Sequence, residues 1–515
     1  IIDSKKINSL PSLSRNIADF ARLTPQAQLR GDDVISISGQ NNRYNAIYID
    51  GAVNNDVFGL AGNGTNGGQT GVSPISLDAI EQFQVQVAPF DVKISGFAGG
   101  AISAITKSGT NNFEGSAYYL NRNEGYAGKT PPSLVATGGS REKLAEFNAT
   151  TIGVRAAGAI KKDKLFYFIN YERQDNETPQ PFDINNYTGN VKNLTPSASV
   201  PDGIEFLRNN LVTRFGYNPG AYTNNFATLK SDKFIAKIDW NINDNHKLAL
   251  RHSLVKANDV SPSRSSASTI NFMGGAIDFK TTTNSSSLEL NSRFGNKFAN
   301  NLVIGYTSVV DDRNPFGSPF PNVEIRDGAG RIFLGSEPFS TANLLEQKIL
   351  TFTDNFEINS GKHTITIGTH NEFSSAKNVF VGRNFGYYRF ANLNDFINNA
   401  KPNRFRLGYS LVGGDGDASQ GAAEFDVMQF GGYIQDEFRV ANNFKLTFGI
   451  RADVPVWDSY INNADFNNRT IPLLEAAGKD LQGARVGEQI STKVHLSPRL
   501  GFNYDINGDK KTQIR

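Results

Sequence analysis

Two connection lengths alternate along this chain, and that alternation restricts its fold more than any other feature. Stretches of ten or so residues with period-2 hydropathy are joined in pairs by short polar turns. The pairs are separated by long segments rich in Gly, Asn, Pro and Ser. The turns lie near 161–164 (KKDK), 243–246, 295–300 (GNKFAN), 359–362 (NSGK), 441–443 (ANN) and 507–510 (NGDK). The long segments are about 124–148, 175–229, 258–278, 313–345, 377–425 and 455–490. Loops above about 12–15 residues are uncommon in compact soluble domains, so this rhythm weighs against a β-sandwich. An outer-membrane barrel has short turns on its periplasmic side and long loops outside. Its strands need about 9–11 tilted residues to cross the bilayer.

The alternation also separates faces. In Lys233–Ile242 (KFIAKIDWNI), Phe234, Ala236, Ile238, Trp240 and Ile242 share one side, and Lys237, Asp239 and Asn241 the other. After the turn, Leu248, Leu250 and Leu254 share a face with His252. Lipid on one side and a polar lumen on the other would require this pattern. Aromatics gather near stretch ends, as an interfacial girdle requires: Tyr118 and Tyr119; Phe166, Tyr167, Phe168 and Tyr171; Phe438, Phe444 and Phe448. Each cluster taken singly also reads as ordinary β-core. Helix signals are sparse; Arg15–Leu23 predicts two turns and Leu344–Ile349 one.

Composition excludes other classes. Mean hydropathy is −0.38, and no run of 18 apolar residues offers a spanning helix. Lys+Arg is 52 against 50 Asp+Glu, too balanced for a bulk electrostatic nucleic-acid binder. Cysteine is absent, which removes disulfides, thiolate metal sites and a cysteine nucleophile. Length alone would suggest three or four soluble domains.

The first 110 or so residues differ. Short strands are predicted at Val34–Gly39, Ala46–Asp50, Ile80–Ala88 and Ala101–Thr106, giving a small mixed α/β domain over 1–110. Between them Gly51–Gly71 (GAVNNDVFGLAGNGTNGGQTG) has too little apolar surface to build a core. Glycine and asparagine tolerate irregular backbone, which suits this segment to an outward, ligand-facing apex.

These residues resemble the TonB-dependent outer-membrane receptors, within them the Oar-like branch. ISGQNNRYNAIYIDG carries the first plug motif as Gly39, Arg43, Asp50 and Gly51. DAIEQFQVQVAP and FAGGAISAITKSGTN carry the second, with Ile80, Glu81 and Pro89, then Gly99, Gly100, Ala101, Ile102 and Lys107. NFEGSAYYLNRN, LTFGIRADVPVW and LSPRLGFNYDINGDKKTQIR are similar to the family's barrel strands. The chain departs from the pattern at Val87 and Ala88, where an arginine and a glycine are usual before Pro89, and at Ser38, usually arginine. The resemblance implies a mainly β fold, a transmembrane antiparallel β-barrel of 22 strands around a small mixed α/β plug. About twelve strands follow Phe113, with another beginning at Lys511–Arg515. The expected organisation is therefore a plug at 1–110 and the first part of the barrel, with long extracellular loops, at 111–515. The gene is expected to continue on both sides, with a signal peptide and a TonB-contacting segment upstream.

The implied function is capture of an extracellular peptide, protein or glycan and its import through a plug-gated outer-membrane barrel powered by the TonB complex, with a surface lipoprotein as a further partner. Adhesion through the long loops without transport, and a soluble secreted all-β enzyme, are the alternatives. Ligand-facing residues are expected at Asn54, Asn55, Asp56 and Phe58. Arg43, if enclosed, needs a lumen-facing Asp or Glu, because an unpaired buried charge is strongly destabilising; a turn arginine in solvent is the other reading.

No enzyme chemistry emerges. His246, His252, His363, His370 and His495 form no HExxH. His370 and Glu372 have the H-x-E spacing of zinc deaminases without the cysteines those need, so a lumen- or turn-facing histidine is expected. No G-x-S-x-G elbow occurs, and GLAGNGTNGG lacks the lysine and strand–helix context of a phosphate loop. No cofactor is expected. Asp415 and Asp417 in GGDGDASQG leave open a loop calcium or a solvated turn, the closing glutamate of an EF-hand being absent.

Overall fold

The computed structural model describes residues 2–10, 12, 15–30, 34–135, 139–191, 203–458, 463–488 and 491–514. Arg515 and parts of the long segments around 136–138, 192–202, 459–462 and 489–490 lie outside the described residues. Thirteen strands form one antiparallel sheet in which each pairs with its neighbours in chain order. They run Glu114–Asn123, Asn148–Lys161, Leu165–Gln180, Asn225–Asn241, His246–Ser261, Ile277–Phe294, Phe298–Pro315, Asn343–Ser360, His363–Phe380, Ala423–Ala441, Phe444–Trp457, His495–Asp505 and Gln513–Ile514. All six predicted short turns join consecutive strands of this sheet, at one end of it. Most strands are longer than a crossing needs, up to 19 residues, so their far ends carry the sheet beyond the bilayer.

The predicted faces are present. Phe234, Ile238 and Trp240 are 37%, 42% and 44% exposed on the outer surface, whereas Lys233 and Lys237 are 3% and 8% exposed within. The outer apolar stripe ends where Asp232 accepts hydrogen bonds from Tyr171 Oη (2.5 Å) and Arg173 Nη1 (3.1 Å). Toward the short turns the outer rings pack in pairs: Phe298 on Phe356, His363 on Phe438 and Phe444 against Tyr504.

Both helix expectations change. Leu344–Ile349 lies within the strand Asn343–Ser360, laddered on both sides, with Ile349 opposite Thr307 and Ser374. Its apolar residues fit either period, and pairing on two edges decides for the strand. Of the predicted Arg15–Leu23 helix only Ala18–Ala21 is α-helical. Arg15 has a φ of 53° and Asn16 Oδ1 accepts from Ala18 N (3.2 Å), so the helix cannot extend backwards. Pro25 disfavours helical backbone at Thr24.

Inside the curved sheet sits a second, mixed one. Its order is Ile2–Asp3, Ile80–Val87, Gly100–Thr106, Ala46–Ile49, Ala52–Val53. Ala46–Ile49 runs parallel to Gly100–Thr106 and the other pairs are antiparallel. Its core gathers Phe20, Ile35, Ile37, Ile47, Ile49, Leu77, Ile80, Phe83 and Ile102, closed by Ala157, Phe168 and Ile235 of the surrounding wall.

The long segments hold structure that the sequence reading missed. Thr269–Asn271, Gly330–Leu334, Asn322–Asp327, Tyr387–Phe390 and Arg404–Arg406, drawn from three different loops, form a further five-stranded sheet. The helix Gly203–Phe215, from a fourth loop, buries Ile204, Leu207 and Leu211. These join Tyr187, Ile270, Phe272, Ile325, Ile332 and Phe396 in a separate apolar core above the barrel.

Candidate functional site

The inner domain meets the wall through polar and charged groups. Asp50 and Gly51 have φ of 48° and 76°, the two successive left-handed residues of an Asp-Gly hairpin turn. The Asp50 carboxylate accepts from Thr106 N (2.8 Å) and Thr106 Oγ1 (2.7 Å), and pairs with the wall's buried Arg251 at 3.5 Å. Asp78 accepts from Ser116 Oγ (3.1 Å) and pairs with Lys107 (3.4 Å) and Arg155 (3.3 Å). Burial pulls the Lys107 ammonium below its ordinary pKa, and Asp78 acts against that shift. Glu172 of the wall, fully buried, takes Lys233 Nζ (3.1 Å), Tyr118 Oη (2.5 Å), Ser76 Oγ (3.0 Å) and Arg15 Nη2 (3.4 Å).

The other motif residues have backbone reasons. A Cβ on Gly100 would stand 2.6 Å from the Gln86 carbonyl oxygen, and one on Gly99 2.9 Å from that of Ile37. Gly39 turns the chain with φ of 75°. Glu81 is exposed at a register shift between Ile80 and Gln82.

Gly51–Gly71 is not the loose polar apex expected. Asn54, Asn63, Thr65, Asn66 and Thr70 are buried, and the segment folds back on itself through Asn66 N to Asn54 O (3.2 Å) and Asp56 N to Gly64 O (2.9 Å). Hydrogen bonding replaces apolar burial: Asn55 Oδ1 accepts from Ile47 N (2.6 Å), and the Asp56 carboxylate from Phe58 N (3.2 Å) and Ala61 N (2.6 Å). Gln69 reaches the wall, donating to Asp311 at 2.6 Å.

Between this segment and the wall lies a cavity of about 470 Å³. It opens toward the long-loop end of the strands. Of the expected ligand-facing residues, Asn55, Asp56 and Phe58 line it, while Asn54 is buried away from it. Arg43 lines it as well. The expectation of an enclosed, paired Arg43 is corrected: the residue is exposed and makes no ion pair among the described residues. Its stem lies along Gly59, where a Cβ would come 3.4 Å from Arg43 Cδ. The barrel supplies the opposite wall with His370, Glu372, Phe425, Gln429 and Trp457. Period 2 places His370 and Glu372 on the inward face, but nothing in the sequence says which inward residues meet the apex. Phe58 stacks on Phe425 with centroids 6.1 Å apart. Tyr48, also lining the cavity, donates to the Ser95 carbonyl (3.2 Å), and burial raises its phenol pKa.

The segment after Pro89 closes the cavity below. Val92 O accepts from Arg451 Nη1 (3.1 Å) and Val92 N donates to Gln435 (3.2 Å). Arg451 is held by both oxygens of Asp453 at 2.8 Å. Arg499 donates to the carbonyls of Asp91 and Ile94. Ser95 and Gly96 face the outer cavity, whereas Lys93 lines a second cavity at the short-turn end, beside Asp244 and Asn245.

In the GGDGDASQG turn, Asp417 caps Ser419 N (2.9 Å), and Asp415 accepts from Asp417 N (3.0 Å) and Gln420 (2.9 Å). Among the described residues, no group of three His, Cys, Asp or Glu is placed to hold a metal.

Comparison with known proteins fits this geometry. A family model described as outer membrane beta barrel domain matches residues 105–193 and 183–515. The chain is similar to the TonB-dependent transporter Oar of Myxococcus xanthus, 24% identical over 253 residues, which is 46% of this chain and 20% of that relative. The crystal structure of the outer membrane transporter YddB from Escherichia coli is similar over 99% of this chain and 59% of that one, at 13% identity and a TM-score of 0.64. FpvA of P. aeruginosa, solved with bound pyoverdine, is similar over 98% and 54%, at 13% identity and a TM-score of 0.58. The chain thus spans a fifth of the curated relative and less than two thirds of either solved structure. At these identities the structural likeness speaks for the fold.

Proposed function

Since this chain belongs to the outer membrane beta barrel domain family and is an integral outer-membrane protein, we propose that it works as a plug-gated, TonB-dependent receptor. Ligand lands in the cavity between the 51–71 apex and the wall. Force transmitted through TonB then shifts the inner domain and opens a path past it. The observation carrying this reading is the seam. The inner domain has its own sheet and core and meets few buried apolar residues of the wall among the described residues, Ala157, Phe168 and Ile235 against its core and Val255 and Ala257 against Val72; the rest of the seam is charges and hydrogen bonds. Such a seam can be broken and remade without exposing a large apolar surface to water. The names of its relatives, transporters among them, support the same reading.

Bilayer conductance of the full receptor tests the plug. The intact protein should be closed, and a variant lacking residues 1–110 should show large, stable openings. Cells with and without functional TonB test the energy source. Mass spectrometry of the medium should show receptor-dependent depletion of some component, lost when TonB is removed. An intact protein that conducts as freely as the deletion variant, or depletion indifferent to TonB, would overturn the proposal. The folded loop sheet favours one second reading, adhesion through the outer surface, which would survive loss of TonB.

A further inference from the structure

Resting on that reading of the cavity as the ligand site, we infer that its ligand is a short zwitterionic peptide bearing an aromatic or large apolar side chain. Besides Asp56, whose carboxylate is already engaged by Phe58 N and Ala61 N, two opposite charges line the cavity. Arg43 stands on the inner-domain wall with no carboxylate within ion-pair distance among the described residues. Glu372 stands on the barrel wall, half-buried, and among the described residues its carboxylate has only the Ser374 hydroxyl, at 3.1 Å, as a hydrogen-bond partner.

A half-buried carboxylate without a cation is partly desolvated, and a ligand cation would offset that cost. An arginine with its fork free suits a planar carboxylate in two parallel hydrogen bonds. Between the two charges the walls are aromatic, with Phe58, Phe425 and Trp457. An aromatic side chain can stack there. Gln429, whose amide nitrogen donates to Asp453, turns a polar edge to the cavity for peptide groups. A volume of about 470 Å³ lies within the range usual for small-ligand pockets and holds a few residues of peptide. A neutral glycan would leave both charges unmatched, and a polyanion would meet Glu372.

The test uses the purified full-length receptor in detergent and isothermal titration calorimetry. The probes are the tripeptide Ala-Phe-Ala, its N-acetylated form and its C-terminal amide. The free tripeptide should bind, and each blocked form should bind about tenfold or more weakly, the scale of one lost charge-assisted contact. Arg43→Gln should abolish the difference between the free acid and the amide. Glu372→Gln should abolish the difference between the free and acetylated amine. Phe58→Ala should weaken all three probes. Equal binding of free and blocked peptides, or no binding by a receptor that is folded by heat-modifiable migration and closed in the bilayer, overturns the inference. The two proposals fail separately. TonB-dependent depletion of non-peptide compounds only would sink the ligand class and leave the receptor reading standing. Charge-selective peptide binding without any dependence of uptake on TonB would do the reverse.

Discussion

Asp50 shows how much one carboxylate can connect. It closes the Asp-Gly hairpin, takes both donors of Thr106 and faces Arg251, which is 3% exposed. Removing one partner of a buried pair costs about 3–5 kcal/mol, whereas replacing both by apolar groups is often nearly neutral. Asp50→Ala should therefore loosen the inner domain and give a leak in bilayer recordings. Adding Arg251→Met should reverse most of that leak. Equal leaks from the single and double variants would mean that the hairpin turn, rather than the ion pair, holds the seam. The motif pattern named Asp50 but not its partner, because Arg251 is one of many inward residues on a strand two hundred residues away. Arg43 teaches the converse. The sequence argument that an enclosed arginine must be paired was sound physics applied to a side chain that is exposed.

At the scale of elements, the strand Asn225–Asn241 was legible from Lys233 onward because a surface bounded by lipid on one side forces period 2, while its first residues fell in the stretch read as a long connection. Ile238→Arg should cost about 2–4 kcal/mol if the residue lies near the bilayer midplane. Lys237→Arg keeps a cation in the lumen and should be close to silent. Folding titrations with heat-modifiable migration compare the two, and equal defects would contradict the assigned faces. The 90–97 segment was not legible, since it has no period and owes its place to Arg451, Arg499 and Gln435 from distant strands. Arg499→Ala removes two of its backbone contacts and should raise ion leak between the two cavities while barrel folding is unchanged. A variant as tightly closed as the parent would show that Arg499 does not hold the segment shut. The buried, hydrogen-bonded form of the 51–71 segment predicts that deleting 54–66 damages the inner domain.

For the whole molecule, the outer loops are the largest departure from what the sequence suggested. Gly-, Asn- and Pro-rich stretches read as long extracellular loops, yet three of them share a sheet and a fourth adds a helix. Ile332, fully buried in their common core, is a direct probe. Ile332→Ala should cost the loop domain about 2–5 kcal/mol. Limited proteolysis should then cut within the loops while the barrel keeps its heat-modifiable migration. Unchanged protease resistance would mean that the loops are held by the barrel rims and not by their own core.

The sequence by itself determined the antiparallel meander, the positions of its short turns, the lipid-facing side of the two strands around the 243–246 turn and the existence of a separate N-terminal mixed domain. These follow from local rules: side-chain alternation, turn chemistry and glycine motifs act between residues close in the chain. Only the tertiary structure decided which inward residues face the inner domain, how the 51–71 segment is buried, and that distant loops share a core. Those outcomes depend on contacts hundreds of residues apart. Phe58 meets Phe425 and Val92 meets Arg451 because the curved sheet brings strands from across the chain around one enclosed domain. No periodicity within either partner encodes that meeting.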